Sequence, residues 1–195
     1  MKKIFLAVLL FGMVLMIACS KPSATFAGID LTGADFGRDF KLNDADGRER
    51  TLADFRGKYV MIFFGYTQCP DVCPTALARA VAVRQKLGAS ADRVQVIFVS
   101  VDPERDSAAV LKAYTAAFDP TFLGLRGSSA QTKEVATEFH VFYEKVPTGG
   151  SYAMDHTAIT YILDAKGRLR LGMRHSQSAD EYAADLQTLM KIDSQ

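Results

Sequence analysis

With 195 residues and 23 Lys and Arg against 22 Asp and Glu, the chain has the length for one hydrophobic core and a formal net charge of only +1. It carries no run of basic residues, which argues against nucleic acid as a partner. It also shows no internal repeat, no heptad pattern and no second apolar segment of spanning length, which argues against a solenoid, a coiled coil or a polytopic membrane protein.

Taken in chain order, residues 1–18 read as an export signal: Lys2 and Lys3 form a positive start, Ile4 to Ile17 an apolar run, and Ala18 a small residue before Cys19. The run is short for a membrane span. A cysteine in this position resembles a bacterial lipobox, in which Cys19 is lipidated and becomes the mature N-terminus. Residues 19–35 are then expected to be the lipid attachment and a flexible spacer, since they are mostly small, polar or turn-forming. The remainder, 36–195, is expected to be one domain outside the cytoplasm, tethered to a membrane by a lipid anchor.

Within that domain Phe40 to Asn43, the turn Asp44-Ala45-Asp46-Gly47 and Arg50 to Leu52 predict a hairpin. Lys58 to Phe64 is a continuous apolar run expected of a strand buried on both faces. An alanine-rich helix follows to about Leu87, then a second buried strand from Arg93 to Val101 and helices over 107–118 and 129–139. Thr157 to Leu163, a turn at Asp164-Ala165-Lys166-Gly167 and Arg168 to Met173 predict a second hairpin. Ser178 to Met190 predicts a closing amphipathic helix with Ser178 as N-cap. This order implies an α/β fold with a central mixed β-sheet, helices on both faces and an N-terminal hairpin. A cysteine pair at the end of the first buried strand makes a thioredoxin-like fold the leading expectation.

If Cys19 is lipidated, the odd cysteine count resolves into one even pair, Cys69 and Cys73. Four residues apart, they share one face if both lie on the helix. Pro70 suits a first helical position, which would place Cys69 near the N-cap, where free N–H groups favour the thiolate. Two thiolates suit Cu(I) or Zn(II), and a disulfide between them is also possible, though one that merely braces the domain would close too short a loop to add much; spacing alone leaves redox catalysis and metal binding open. Of the three histidines, His140 near a helix end is expected to cap or pack, and His175 to be a solvated loop residue. His156 immediately precedes a strand, close to where thioredoxin-like proteins place the loop facing their cysteines.

Phe64-Gly65-Tyr66-Thr67-Gln68-Cys69-Pro70-Asp71-Val72-Cys73-Pro74 resembles the cysteine motif of the SCO/SenC proteins, which take part in cytochrome c oxidase assembly. Val99-Ser100-Val101-Asp102-Pro103-Glu104-Arg105-Asp106 and Met154-Asp155-His156-Thr157 resemble that family's second and third signatures. The resemblance covers nearly the whole domain. It implies that Cys69, Cys73 and His156 bind one copper ion, Cu(I) or Cu(II), with Asp155 either accepting a hydrogen bond from the imidazole or capping the local turn. Met154 is expected to pack in the core, and Asp102 and Pro103 to form a structured loop beside the site. The implied function is a copper metallochaperone for the CuA-bearing subunit of cytochrome c oxidase, with another periplasmic copper carrier as a further partner. The alternatives are a thiol-disulfide reductase, with Cys69 attacking and Cys73 resolving, and a copper or redox sensor. Work on the oxidase would place the protein in the cell envelope, at the inner membrane.

Overall fold

The computed structural model describes residues 24–194. The expected export signal and Cys19 lie outside these residues. The sheet is organised around β4 (Tyr59–Gly65), every residue of which is buried. Beside it runs β5 (Val94–Ser100), in parallel register from Tyr59 opposite Val94 to Gly65 opposite Ser100. Burial on both faces explains why neither strand shows a polar alternation, and parallel pairing requires the long crossover that α1 (Val72–Leu87) provides.

Outward from β5 lies the short β6 (Leu123–Leu125), also parallel, reached through α2 (Ala108–Ala116). On the other side of β4 stand β9 (Ile159–Leu163), β10 (Leu169–Arg174) and β1 (Ile29–Asp30), each antiparallel to its neighbour. The six strands therefore run in the order β1-β10-β9-β4-β5-β6, a mixed sheet. Two small hairpins stand apart from it: β2 (Leu42–Asn43) with β3 (Glu49–Arg50), and β7 (Tyr143–Thr148) with β8 (Ser151–His156).

Helices cover both faces, as expected. Strand alternation puts Tyr59, Met61, Phe63 and Gly65 on one face, where α1 packs against α4 (Ala179–Asp193) and the Tyr59 hydroxyl donates to Asp193 at 2.9 Å. Phe64 points to the other face and meets Phe139, the residue that ends α3 (Ser129–Glu138), with ring centroids 5.4 Å apart. Serines cap three helices: Ser107, Ser128 and Ser178 each accept from a backbone N–H of the first turn. Among the described residues, no helix is long and apolar enough to cross a membrane.

Four strands depart from the sequence expectation. Residues 29–30 belong to the sheet edge instead of a spacer, and the Ala27 and Gly28 amides donate to the buried Asp185 carboxylate at 3.0 and 2.8 Å. The folded body thus starts before Phe36. The sequence pattern predicts neither β6 nor the β7–β8 hairpin; the former is three residues long and most residues of the latter are exposed. Short or exposed strands carry little apolar pattern of their own.

Candidate metal centre

The site sits at the carboxyl end of β4, where an open α/β sheet gathers its functional groups. After Gly65 the chain turns through Tyr66 to Asp71 and enters α1 at Val72, with Asp71 as the N-cap residue. Pro70 is therefore not the first helical residue, and Cys69 stands three residues before the helix. Its sulfur nevertheless reaches the helix start, accepting from the Cys73 amide at 3.5 Å. The expected electrostatic setting survives, reached by a loop that folds back instead of by a longer helix. Pro74 falls in the first turn, where its missing N–H leaves no intrahelical acceptor unpaired.

Two buried groups fix this loop. Asp106, fully buried, accepts from the Thr67 hydroxyl at 2.6 Å, from the Thr67 amide and from the Ser100 hydroxyl at 2.6 Å. Gly65 leaves room for the inner thiol: a Cβ there would lie 2.7 Å from Cys73 Sγ. Cys73 is completely buried beneath the loop, while Cys69 is partly exposed; both are free thiols.

His156 arrives from the other direction, as the last residue of β8. Its Nε2 lies 3.6 Å from Cys73 Sγ, and its Nδ1 lies 3.1 Å from the Thr157 carbonyl. A carbonyl only accepts, so Nδ1 carries the proton and Nε2 presents its lone pair to the sulfurs. The ring is walled by Phe63 and Tyr66, both edge-on at centroid distances of 5.9 and 6.0 Å. Cys69, Cys73 and His156 can thus offer two sulfurs and one nitrogen within 4.8 Å of one another. This donor set matches a soft or borderline ion such as Cu(I), Cu(II) or Zn(II) and suits Mg or Ca poorly.

The two thiols differ in kind. Burial pushes the Cys73 thiol far up, with the neighbouring Cys69 and Asp106 adding to the rise. At Cys69, burial also acts upward, but the amides of Asp71, Cys73 and Val72 outweigh it and bring the thiol below its ordinary value. Burial lowers the basicity of His156, only partly countered by the Thr157 carbonyl and Asp155, so the imidazole is held neutral as a ligand must be.

The remaining sequence candidates fall as follows. Asp155 is not the imidazole's partner: strand alternation turns it to the outer face of the hairpin, exposed and opposite Glu144, and the Thr157 carbonyl takes the role. Met154 is buried in the core as expected. His140 packs, its ring stacked on Phe36 at 4.2 Å, and Asp102 is a buried structural carboxylate. His175 is not solvated; it is half-buried, its Nδ1 has no hydrogen-bond partner among the described residues, and Arg79 donates to its carbonyl at 2.7 Å. Sequence reasoning missed the supporting roles of Tyr66 and Asp106, although both stand inside the quoted motifs, because nothing in a linear pattern says which side chains turn inward.

Residues 30–191 match the family model SCO1/SenC. A mouse protein named "Protein SCO2 homolog, mitochondrial" is 38% identical over 152 residues, covering 76% of this chain and 60% of its own length. A SCO2-like protein of Rickettsia felis is 36% identical over 151 residues, 76% of this chain and 74% of its own. The solved structure of Bradyrhizobium japonicum ScoI with copper bound superposes with a TM-score of 0.72 at 44% identity, covering 79% of this chain and 99% of the other.

Proposed function

The chain belongs to the SCO1/SenC family, and from that premise we propose that it is a copper chaperone that carries one copper ion on Cys69, Cys73 and His156 and delivers it to the CuA-bearing subunit of cytochrome c oxidase. The observation that carries the proposal is the convergence of two thiol sulfurs and a lone-pair nitrogen within 4.8 Å. Copper is cargo here. Two sulfurs hold Cu(I), the imidazole completes a three-donor site that also holds Cu(II), and the partly exposed Cys69 is the edge from which an incoming thiolate can exchange. The reading extends to a lipid anchor at Cys19, a setting in the cell envelope at the inner membrane, and a periplasmic copper carrier as donor.

The test is a titration with Cu(I) and Cu(II) of the chain from Ser20 onward, beside Cys69→Ser, Cys73→Ser and His156→Ala. One equivalent of each ion is expected for the wild type, loss of Cu(I) binding in either cysteine variant, and a much weakened Cu(II) complex in His156→Ala. Cu(II) binding by His156→Ala equal to wild type would remove the imidazole from the site.

A second reading rests on the asymmetry of the thiols. A partly exposed Cys69 with a lowered pKa next to a buried Cys73 with a raised one is the pattern of attacking and resolving cysteines in a disulfide reductase. Cys69 thiolate would attack a disulfide of the target and release one target thiolate. Cys73 would then displace the second, leaving a Cys69–Cys73 disulfide for an external dithiol to reduce. Reduction needs no imidazole ligand, so restoration of oxidase assembly in cells by His156→Ala would favour this reading over delivery.

A further inference from the structure

The third ligand sits on an arm that is not part of the main sheet. Among the described residues β7 and β8 pair only with each other, most of their residues are exposed, and His156 is the last residue of the arm. At the base of the arm, the Phe142 amide donates to the Thr157 hydroxyl and the Thr157 amide to the Phe142 carbonyl, both at 3.0 Å. These bonds lie within the arm's own base and do not tie it to the cysteine loop. Lys145 pairs with Glu104 at 2.6 Å, but both side chains are about half exposed, and such pairs hold little.

One side chain reaches across all three parts of the site. Arg105 donates through Nε to the buried Asp102 carboxylate, and through Nη1 to the Tyr152 carbonyl at 2.7 Å and to Gln68 Oε1 at 3.1 Å. Its guanidinium lies 3.6 Å over the Tyr152 ring and 5.6 Å from the Tyr66 ring. Tyr152 closes the circuit by donating its hydroxyl to Asp102 at 2.8 Å. Gln68 precedes Cys69, Tyr66 walls the imidazole, and Tyr152 is four residues before His156 on the arm.

We propose that Arg105 is the positioning residue of the metal site: with Asp102 and Tyr152 it latches the β7–β8 arm onto the cysteine loop and so sets how firmly His156 is held over Cys69 and Cys73. A planar fork suits this, because the carboxylate is reached from Nε and the two other oxygens from Nη1 while the plane stacks on a ring, a spread of donors that a compact ammonium does not reproduce. Met154 packs the arm into the core, but the polar attachment to the cysteine loop centres on Arg105, and that has a functional consequence. Opening that latch frees the imidazole while both sulfurs stay on the body, which turns a three-donor site into a two-donor site from which copper can leave. The inference rests on the copper-site reading for this consequence, though not for the latch itself.

The experiment compares wild type with Arg105→Met, Arg105→Lys and Tyr152→Phe, using the full-length chain. Amide hydrogen exchange of the metal-free protein is read over residues 143–156 and, as a folding control, over β4 and β5. Loss of hydrogen bonds to a charged group predicts exchange of the arm faster by about tenfold or more in Arg105→Met, with β4 and β5 unchanged. Arg105→Lys and Tyr152→Phe should fall between. After loading, dissociation of Cu(II) should accelerate by a similar factor and the imidazole contribution to its spectrum should weaken, while Cu(I) affinity changes less than about threefold, because the sulfurs do not move. Equal arm exchange in wild type, Arg105→Met and Tyr152→Phe would overturn the latch. If Arg105→Met fails to fold, the comparison rests on Arg105→Lys and Tyr152→Phe, and unchanged arm exchange in both has the same force. Failure of the wild-type protein to bind copper, with the arm still loosened in the variants, would refute the chaperone reading and leave the latch standing.

Discussion

Cys69 and Cys73 are separated by three residues and by opposite surroundings, and that difference can be read as protons. The Cys73 thiol, driven up by burial, is protonated in the metal-free protein at neutral pH, whereas a metal takes the thiolate. Binding must therefore expel at least the Cys73 proton, and the logarithm of the apparent Cu(I) affinity should rise by about one for each proton expelled and each unit of pH. Burial lowers the basicity of His156, so the imidazole should contribute no proton above its ordinary value of 6.5. Pulsed addition of Cu(I) to weakly buffered protein at neutral pH measures the count directly, and a count near zero would show that Cys73 does not enter the site as a thiolate. At this scale the ligands were legible in sequence for unequal reasons. The cysteines announce themselves by residue type and by their place between strand and helix. His156 does so only through the resemblance of its motif, because whether a histidine faces a thiol depends on a chain reversal more than eighty residues away.

The two tight turns show how a local sequence becomes a rigid element. In Asp44-Ala45-Asp46-Gly47-Arg48 and Asp164-Ala165-Lys166-Gly167-Arg168 the leading aspartate accepts from the amides two and four residues on, and then from an arginine. Glycine stands at positive φ in both, at 78° and 69°. Asp164 is completely buried and also pairs with Arg170, which reaches on to Asp193 of α4, so this turn ties the β9–β10 hairpin to the last helix. Burial alone would raise the Asp164 carboxyl, but its bonds to Arg168 and Arg170 outweigh that and hold it below the ordinary carboxylate value. A folded pKa below the unfolded one stabilises the fold at pH values above the unfolded value, about 4, and the contribution fades as pH falls through the folded pKa. Asp164→Asn should therefore lower stability by about 2–3 kcal/mol at neutral pH, with the gap to wild type closing in acid below about pH 4. Urea unfolding from pH 3 to pH 7 tests it, and a gap independent of pH would refute the charge argument. Both turns were legible because aspartate and glycine at that spacing encode them locally. The β7–β8 arm was missed although Gly149 and Gly150, at φ 48° and 104°, form the turn at its tip, since its strands carry Pro147 and exposed charges in place of an apolar alternation.

For the whole molecule, the boundary of the fold decides what can be studied as a soluble piece. Composition places the start near Phe36, because residues 24–35 contain few large apolar side chains. The structure begins earlier, for a reason that lies at the other end of the chain. Asp185 on α4 is buried, and among the described residues its hydrogen bonds come from the amides of Ala27 and Gly28, while the Leu31 amide donates to the Arg170 carbonyl at 2.8 Å to continue the β1–β10 pairing. No window of sequence around Ala27 can report a carboxylate 158 positions away. Cutting at Phe36 removes those two charge-assisted bonds together with the β1–β10 pairing, a loss of about 3 kcal/mol. For a domain of this size that corresponds to a fall in Tm of roughly 6–12 °C. Scanning calorimetry on two fragments, one beginning at Ala24 and one at Phe36, makes the comparison, and Asp185→Ala in the longer fragment supplies a control in which the same bonds are lost with the strand retained. Equal Tm values for the two fragments would show β1 to be an ornament of the edge. The expected fall would instead make residues 27–31 part of the cooperative unit, with the sheet that positions Cys69, Cys73 and His156 depending on a segment that resembles a linker.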